Sequence, residues 1–246
     1  MEQARVAAGT DPDALADWAL RRASLLDDQA EPELAERLAR KALRVFSETG
    51  SSRFWPGTVN LAVFLANQGE LEGAVETLET ALPHISPDGG RHHYAIVHNL
   101  AVYRARLGRS NGLRQLIAET SRILSSSGAE PGVVGRFEWA AAEAFYCIGD
   151  LPEAIRRFQH SWEQLSSAQL WPDAALAAID EMESHLSRGE DRKGIHGASG
   201  RVFLALRNIE DSGLGSALRS LLKQVAARAI SLEVLEATRR RMRRRL

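Results

Sequence analysis

Apolar residues recur at helical spacing along almost the whole chain, in stretches separated by short turns that carry Gly or Ala. The intervals between successive turns are 39 to 41 residues, and the turns fall at Ala30, Gly69, Gly108, Gly149, Gly189 and Ala229. A fixed period of this length is the sequence signature of a helical repeat protein. No stretch alternates apolar and polar residues between turns, so we predict helix pairs and no β-sheet.

The helices that follow the turns share one apolar pattern. Ala74, Leu78 and Ala81 follow Gly69 at spacings that place all three on one helical face, and the same offsets from Gly149 select Ala, Phe and Ser. Small residues at the first and third positions let two helix backbones approach closely. The pattern predicts helices at 12–26, 32–48, 55–68, 71–84, 91–107, 111–126, 132–148, 152–167, 172–187, 191–208, 213–228 and 232–245.

The turn sequences resemble those of a known repeat family. Gly69 to Ala74 reads Gly-Glu-Leu-Glu-Gly-Ala, and Gly149 to Ala154 reads Gly-Asp-Leu-Pro-Glu-Ala. Both runs resemble the turn of tetratricopeptide (TPR) repeats, and the period near 40 resembles that of long-repeat relatives in bacterial regulators. The resemblance implies an all-α, right-handed α-solenoid of about six antiparallel helix pairs, formed by residues 1–246 as a single domain.

The two ends of the chain differ from its middle. Residues 1–10 are expected to be a flexible N-terminus, and 231–246 are expected to form a capping helix, with Leu235, Met242 and Leu246 on one face. The last eight residues hold a basic tail of six arginines: Arg239, Arg240, Arg241, Arg243, Arg244 and Arg245. Three uses are open for this tail: a solvated helix end whose cations complement the helix dipole, docking on an acidic protein, or contact with nucleic-acid phosphate.

Composition narrows the class of protein further. With 44% apolar residues the chain can bury a substantial core. Its net charge of -1 gives no indication, for the chain as a whole, of a polyanionic partner. Cys147 is the single cysteine, and the N-terminus lacks a signal-peptide pattern, so we expect a cytoplasmic protein without disulfides and without a membrane span. The excess of Arg over Lys suggests a bacterial source.

Histidines and glycines that could form a metal site or a phosphate loop are present, but their spacing or position in the chain does not fit either site. His98 follows His93 and His92 by five and six positions, which places the rings on different helical faces, whereas a chelating pair is spaced by four. The repeated glycines of 194–200 resemble a phosphate loop, but they fall in a predicted second helix, where close packing or a kink explains them better. We therefore predict a protein that is not an enzyme and binds no metal or cofactor.

The family resemblance also suggests a binding surface. In TPR proteins the first helix of each pair lines the concave groove, and the corresponding positions here are Val59, Val63, Asn67, His98, Val102, Arg106, Trp139, Glu143 and Tyr146. The alternative is that some of these residues pack against neighbouring helices. The prediction is a non-catalytic scaffold or adaptor that binds a peptide or helix of another protein in this groove. The second hypothesis is a regulatory subunit of a transcription or defence complex whose arginine tail contacts nucleic acid or an acidic partner.

Overall fold

The computed structural model describes residues 11–29, 31–85, 91–189, 192–209, 213, 215–225 and 227. Every regular element in this part of the chain is helical, which confirms the all-α prediction. The helices are α1 Pro12–Asp28, α2 Pro32–Thr49, α3 Phe54–Asn67, α4 Leu71–Ala81, α5 Arg91–Arg106, α6 Leu113–Ser126, α7 Pro131–Cys147, α8 Leu151–Ser167, α9 Trp171–Arg188 and α10 Arg192–Arg207. Residues 215–225 are helical as well, whereas the predicted helix at 232–245 lies outside the described residues.

Among the helices α1 to α10, α4 has the predicted end that differs most from the structure. The predicted helix runs to residue 84, but the α-helix stops at Ala81 and a 3₁₀ turn, Leu82–His84, continues the chain. Pro83 explains the change, because proline has no N–H with which to continue the α-helical hydrogen bonding.

The turn glycines have the backbone conformation that their role requires. Gly69, Gly108, Gly149 and Gly189 have φ angles between +70° and +86°, a left-handed conformation that is costly for residues with a Cβ. The N–H of Glu70, which follows the first of them, donates to the carbonyl of Leu65 at 2.9 Å. Each of these glycines therefore ends one helix and lets the next helix of the pair begin.

The chain forms two compact units, Met1–Ser127 (unit 1) and Gly128–Leu246 (unit 2). In unit 1 each helix from α1 to α6 packs on the next helix along the chain, and α3 also contacts α1 and α5. In unit 2 the helices α7 to α10 pack consecutively, and α7 also contacts α9. The first helices of neighbouring pairs are thus in direct contact within each unit.

The small residues predicted to let helices approach are buried. Ala74, Leu78 and Ala81 are inaccessible to solvent, as are Ala154 and Ser161 at the corresponding positions of unit 2. Gly135 of α7 extends this close contact, because a Cβ added there would lie 2.7 Å from Cγ of Leu165 on α8.

Two glycine-to-alanine changes test this packing. Gly135→Ala is expected to lower the free energy of unfolding by about 1 to 3 kcal/mol, because the added methyl overpacks the α7–α8 contact. Gly197→Ala, in α10, meets nothing within 4 Å and should raise stability by about 0.5 to 1 kcal/mol through helix propensity. Urea denaturation of both variants measures the effects, and shifts of the same sign would contradict the proposed close contact.

Candidate functional site

The nine predicted groove residues separate into core and surface positions. Val59 and Val102 are buried, with 7% and 5% of their surface exposed, so both belong to the core of unit 1. The alternative of ordinary packing holds for these two residues. The other seven are half-buried or exposed on the first helices of their pairs.

In unit 1 the surface positions lie on α3 and α5. Val63 is half-buried, and the exposed Asn67 donates from Nδ2 to Oδ2 of Asp27 on α1 at 2.6 Å. Burial lowers the pKa of His98 from 6.5 to about 4. His98 is therefore neutral near pH 7 and supplies no positive charge to this surface. Arg106, exposed at the end of α5, does supply one.

In unit 2 the predicted residues Trp139, Glu143 and Tyr146 lie half-buried on α7. The indole Nε1 of Trp139 donates to Oδ2 of Asp180 on α9 at 2.7 Å. The hydroxyl of Tyr146 lies 3.1 Å from Oγ of Ser187, also on α9. We call these five residues the aromatic face. Both hydrogen bonds join residues 41 positions apart, about one repeat period, so each links two successive first helices.

The aromatic face carries negative charge. Burial raises the pKa of Asp180 from 3.8 to about 6, the charges of Glu143 and Glu183 raise it further, and the hydrogen bond from Trp139 opposes the shift. Asp180 was not among the residues predicted from the sequence. Asp180 lies 41 residues after Trp139, about one repeat period, but only the contact between α7 and α9 shows that its carboxylate meets the indole.

A second polar cluster lies in the interior of unit 2. Glu181 of α9 is fully buried. Its carboxylate accepts hydrogen bonds from the guanidinium of Arg201 on α10, one of them at 3.0 Å, and from the side-chain amide of Gln159 on α8 at 2.8 Å. The guanidinium also lies 5.9 Å from the ring centre of Trp162. This cluster ties three helices together.

The glycines of 194–200 are part of the continuous helix α10. Gly194 lies against the buried imidazole of His185 so closely that a Cβ there would overlap the ring. Close helix packing therefore explains the first glycine, as the sequence predicted. Gly197 and Gly200 have no such neighbour, since nothing lies within 4 Å of an added Cβ.

The remaining predictions concern metal sites, membrane spans and the C-terminal residues. Among the described residues, no three His, Cys, Asp or Glu side chains are placed to hold a metal ion. In the same part of the chain, none of the helices is both long and apolar enough to cross a membrane. The basic tail, Arg239 to Arg245, and the capping helix at 231–246 lie outside the described residues, so their roles stay predictions.

Comparison with solved structures identifies the class of fold. A kinesin light chain-like protein of Podosopora anserina with nearly identical TPR-like repeats is similar at 14% identity, with a TM-score of 0.61, over 82% of this chain and 100% of that chain. BtubC (BKLC) from P. vanneervenii is similar at 19% identity, with a TM-score of 0.64, over 84% of this chain and 85% of that chain. The protein has a TPR-like helical repeat fold. No protein-family model matches the sequence, and no curated protein matches it.

Proposed function

We propose that the protein is a non-catalytic scaffold or adaptor that binds a peptide or helix of a partner protein on the first helices of its pairs. The TPR-like fold supports the general class, because helical repeat scaffolds typically mediate protein–protein interaction through extended surfaces. The single cysteine and the excess of Arg support a bacterial cytoplasmic protein.

The observation that carries this proposal is the aromatic face of unit 2. Trp139 and Tyr146 are half-buried, and each is held by a hydrogen bond to α9, so their rings are ordered before a partner arrives. Aromatic residues of this kind are typical anchors of interfaces, because they bury large apolar areas and lose little conformational entropy on binding. The neighbouring carboxylates of Glu143 and Asp180 supply charge that orients a bound segment.

Truncation of the anchor tests the proposed face. Trp139→Ala is expected to weaken binding of the native partner by about 2 kcal/mol or more, roughly 30-fold, because a desolvated aromatic anchor is lost. Trp55→Ala is a suitable control, since Trp55 lies in unit 1 and stacks on His84 with ring centres 4.3 Å apart. The partner would be recovered from the native host with the full chain, and its affinity measured by calorimetry. Unchanged affinity in a folded Trp139→Ala variant would place the binding surface elsewhere.

A further inference from the structure

The outer strip of each second helix offers a comparison between repeats. The residues seven, eleven and fourteen positions after each turn lie on one helical face. In the first four pairs this strip is mostly polar or charged: Arg37, Lys41 and Arg44; Glu76, Thr80 and Pro83; Gln115, Glu119 and Arg122; Arg156, His160 and Glu163. In the fifth pair it consists of His196, Gly200 and Phe203. The outer strip of α10 has thus lost the polar character of the others.

Two large apolar side chains are exposed at the C-terminal end of this strip and beside it. Phe203 is 57% exposed and the adjacent Leu204 is 46% exposed. The position of Phe203 corresponds to Glu163 on α8, which is exposed although another helix pair follows α8 in the same unit. Stacking of a further pair in the same manner therefore does not cover this position. Phe203 belongs to a lateral surface that the stacking of helix pairs leaves exposed, and contiguous exposed apolar patches are typical of interaction sites.

The glycines of α10 shape the same surface. Gly197 and Gly200 lie about two turns and one turn before Leu204, and nothing lies within 4 Å of a Cβ added to either. The helix surface beside the two apolar side chains therefore carries no side chains at these two positions. Another backbone can approach it closely there.

The charge of α10 narrows the class of partner. The helix contains no Asp or Glu between Arg192 and Arg207, and the exposed side chains of Lys193 and Arg207 lie on either side of the apolar patch. A second copy of the same helix would bring like charges together, which disfavours association. An acidic segment would instead meet charges of opposite sign.

We propose that Gly197, Gly200, Phe203 and Leu204 form a docking surface for an acidic amphipathic helix of another protein. The apolar residues of that helix pack on Phe203 and Leu204, and its carboxylates face Lys193 and Arg207. This surface is separate from the aromatic face, so the protein would bind two segments through different sides of its helix pairs.

A synthetic helix built from Leu, Ala and Glu is the probe for this surface, with a peptide carrying Lys at every Glu position as its counterpart. Fluorescence anisotropy with the full chain is expected to show at least about tenfold tighter binding of the Glu peptide. Phe203→Ser should weaken that binding about tenfold or more. The matched change Glu163→Ser, at the corresponding position of α8, should leave it unchanged.

A second variant keeps the test independent of any effect of Phe203→Ser on folding. Gly200→Leu places a branched side chain on the smooth strip and should also weaken binding of the Glu peptide, while circular dichroism confirms its helix content. Trp139→Ala should leave this binding intact, which separates the α10 surface from the proposed function of the aromatic face.

Several results would overturn the assignment. Equal binding of the Lys and Glu peptides, or binding that Phe203→Ser does not change, would remove the acidic helix as the occupant. Binding of anionic vesicles or duplex DNA in place of the Glu peptide would assign the strip to a lipid surface or nucleic acid. A concentration-dependent dimer that Phe203→Ser abolishes, measured by light scattering, would assign it to a second copy.

Discussion

Replacement of Arg201 by methionine is expected to destabilise unit 2 by about 3 to 5 kcal/mol. The Glu181 carboxylate is fully buried, and both of its oxygens accept hydrogen bonds from the guanidinium of Arg201. Methionine keeps much of the volume but removes the permanent cation, which leaves the carboxylate beside the imidazole of His185, 3.5 Å from its Oε1. The remaining bond from Gln159 is a neutral one and does not balance the cost of keeping a carboxylate out of water.

The measurement is urea denaturation, with hydrogen exchange of α9 and α10 to show that the loss lies in unit 2. Arg136→Met is the control, because its ion pair with Asp173, at 2.8 Å, is at the surface and should contribute no more than about 1 kcal/mol. The double variant Arg201→Met, Glu181→Leu should recover most of the lost stability, since it removes the buried charge as well. A loss below about 1 kcal/mol in Arg201→Met would contradict the buried ion pair.

The second large effect is a pH-dependent gain of stability in Asp180→Asn. Burial and the neighbouring carboxylates raise the pKa of Asp180 from 3.8 to about 6, so between these values the folded chain binds a proton that the unfolded chain does not. Stability therefore falls as pH rises through this window, by about 3 kcal/mol in total. Asparagine does not ionise, and its side-chain oxygen can still accept the hydrogen bond from Trp139.

Urea denaturation at several pH values measures this gain. The variant should match the wild-type chain near pH 4 and exceed it by about 2 to 3 kcal/mol above pH 7. Asp173→Asn is the control, because it removes a surface carboxylate paired with Arg136 and should show no gain that grows with pH. A constant difference between Asp180→Asn and the wild-type chain across the range would contradict the raised pKa.

The repeat pattern was sufficient to predict most helix positions. Prolines and glycines mark the ends of helices through local chemistry, and the helix predicted at 32–48 is observed at Pro32–Thr49. The early end of α4 shows the limit of periodicity, because the apolar pattern continues past Ala81 while Pro83 lacks the hydrogen-bond donor that an α-helix needs.

The candidate surface could be predicted only in part. Trp139 and Glu143 lie half-buried on a first helix, but Val59 and Val102, at the equivalent positions of earlier repeats, are buried. Helical phase identifies the side of a helix and does not tell how far a neighbouring helix covers it. The pairing of Trp139 with Asp180 required the contact between α7 and α9, which no property of either helix alone predicts.

The packing of each helix on its neighbours along the chain has a consequence for how the protein folds. The hydrogen bonds between successive first helices span only 41 residues, so loops of modest length close before each contact forms. Chains with such local contacts have low contact order and fold quickly, and a repeat array can begin folding at any pair and extend from it. During synthesis, helices α1 to α6 can therefore assemble before the ribosome has completed the rest of the chain.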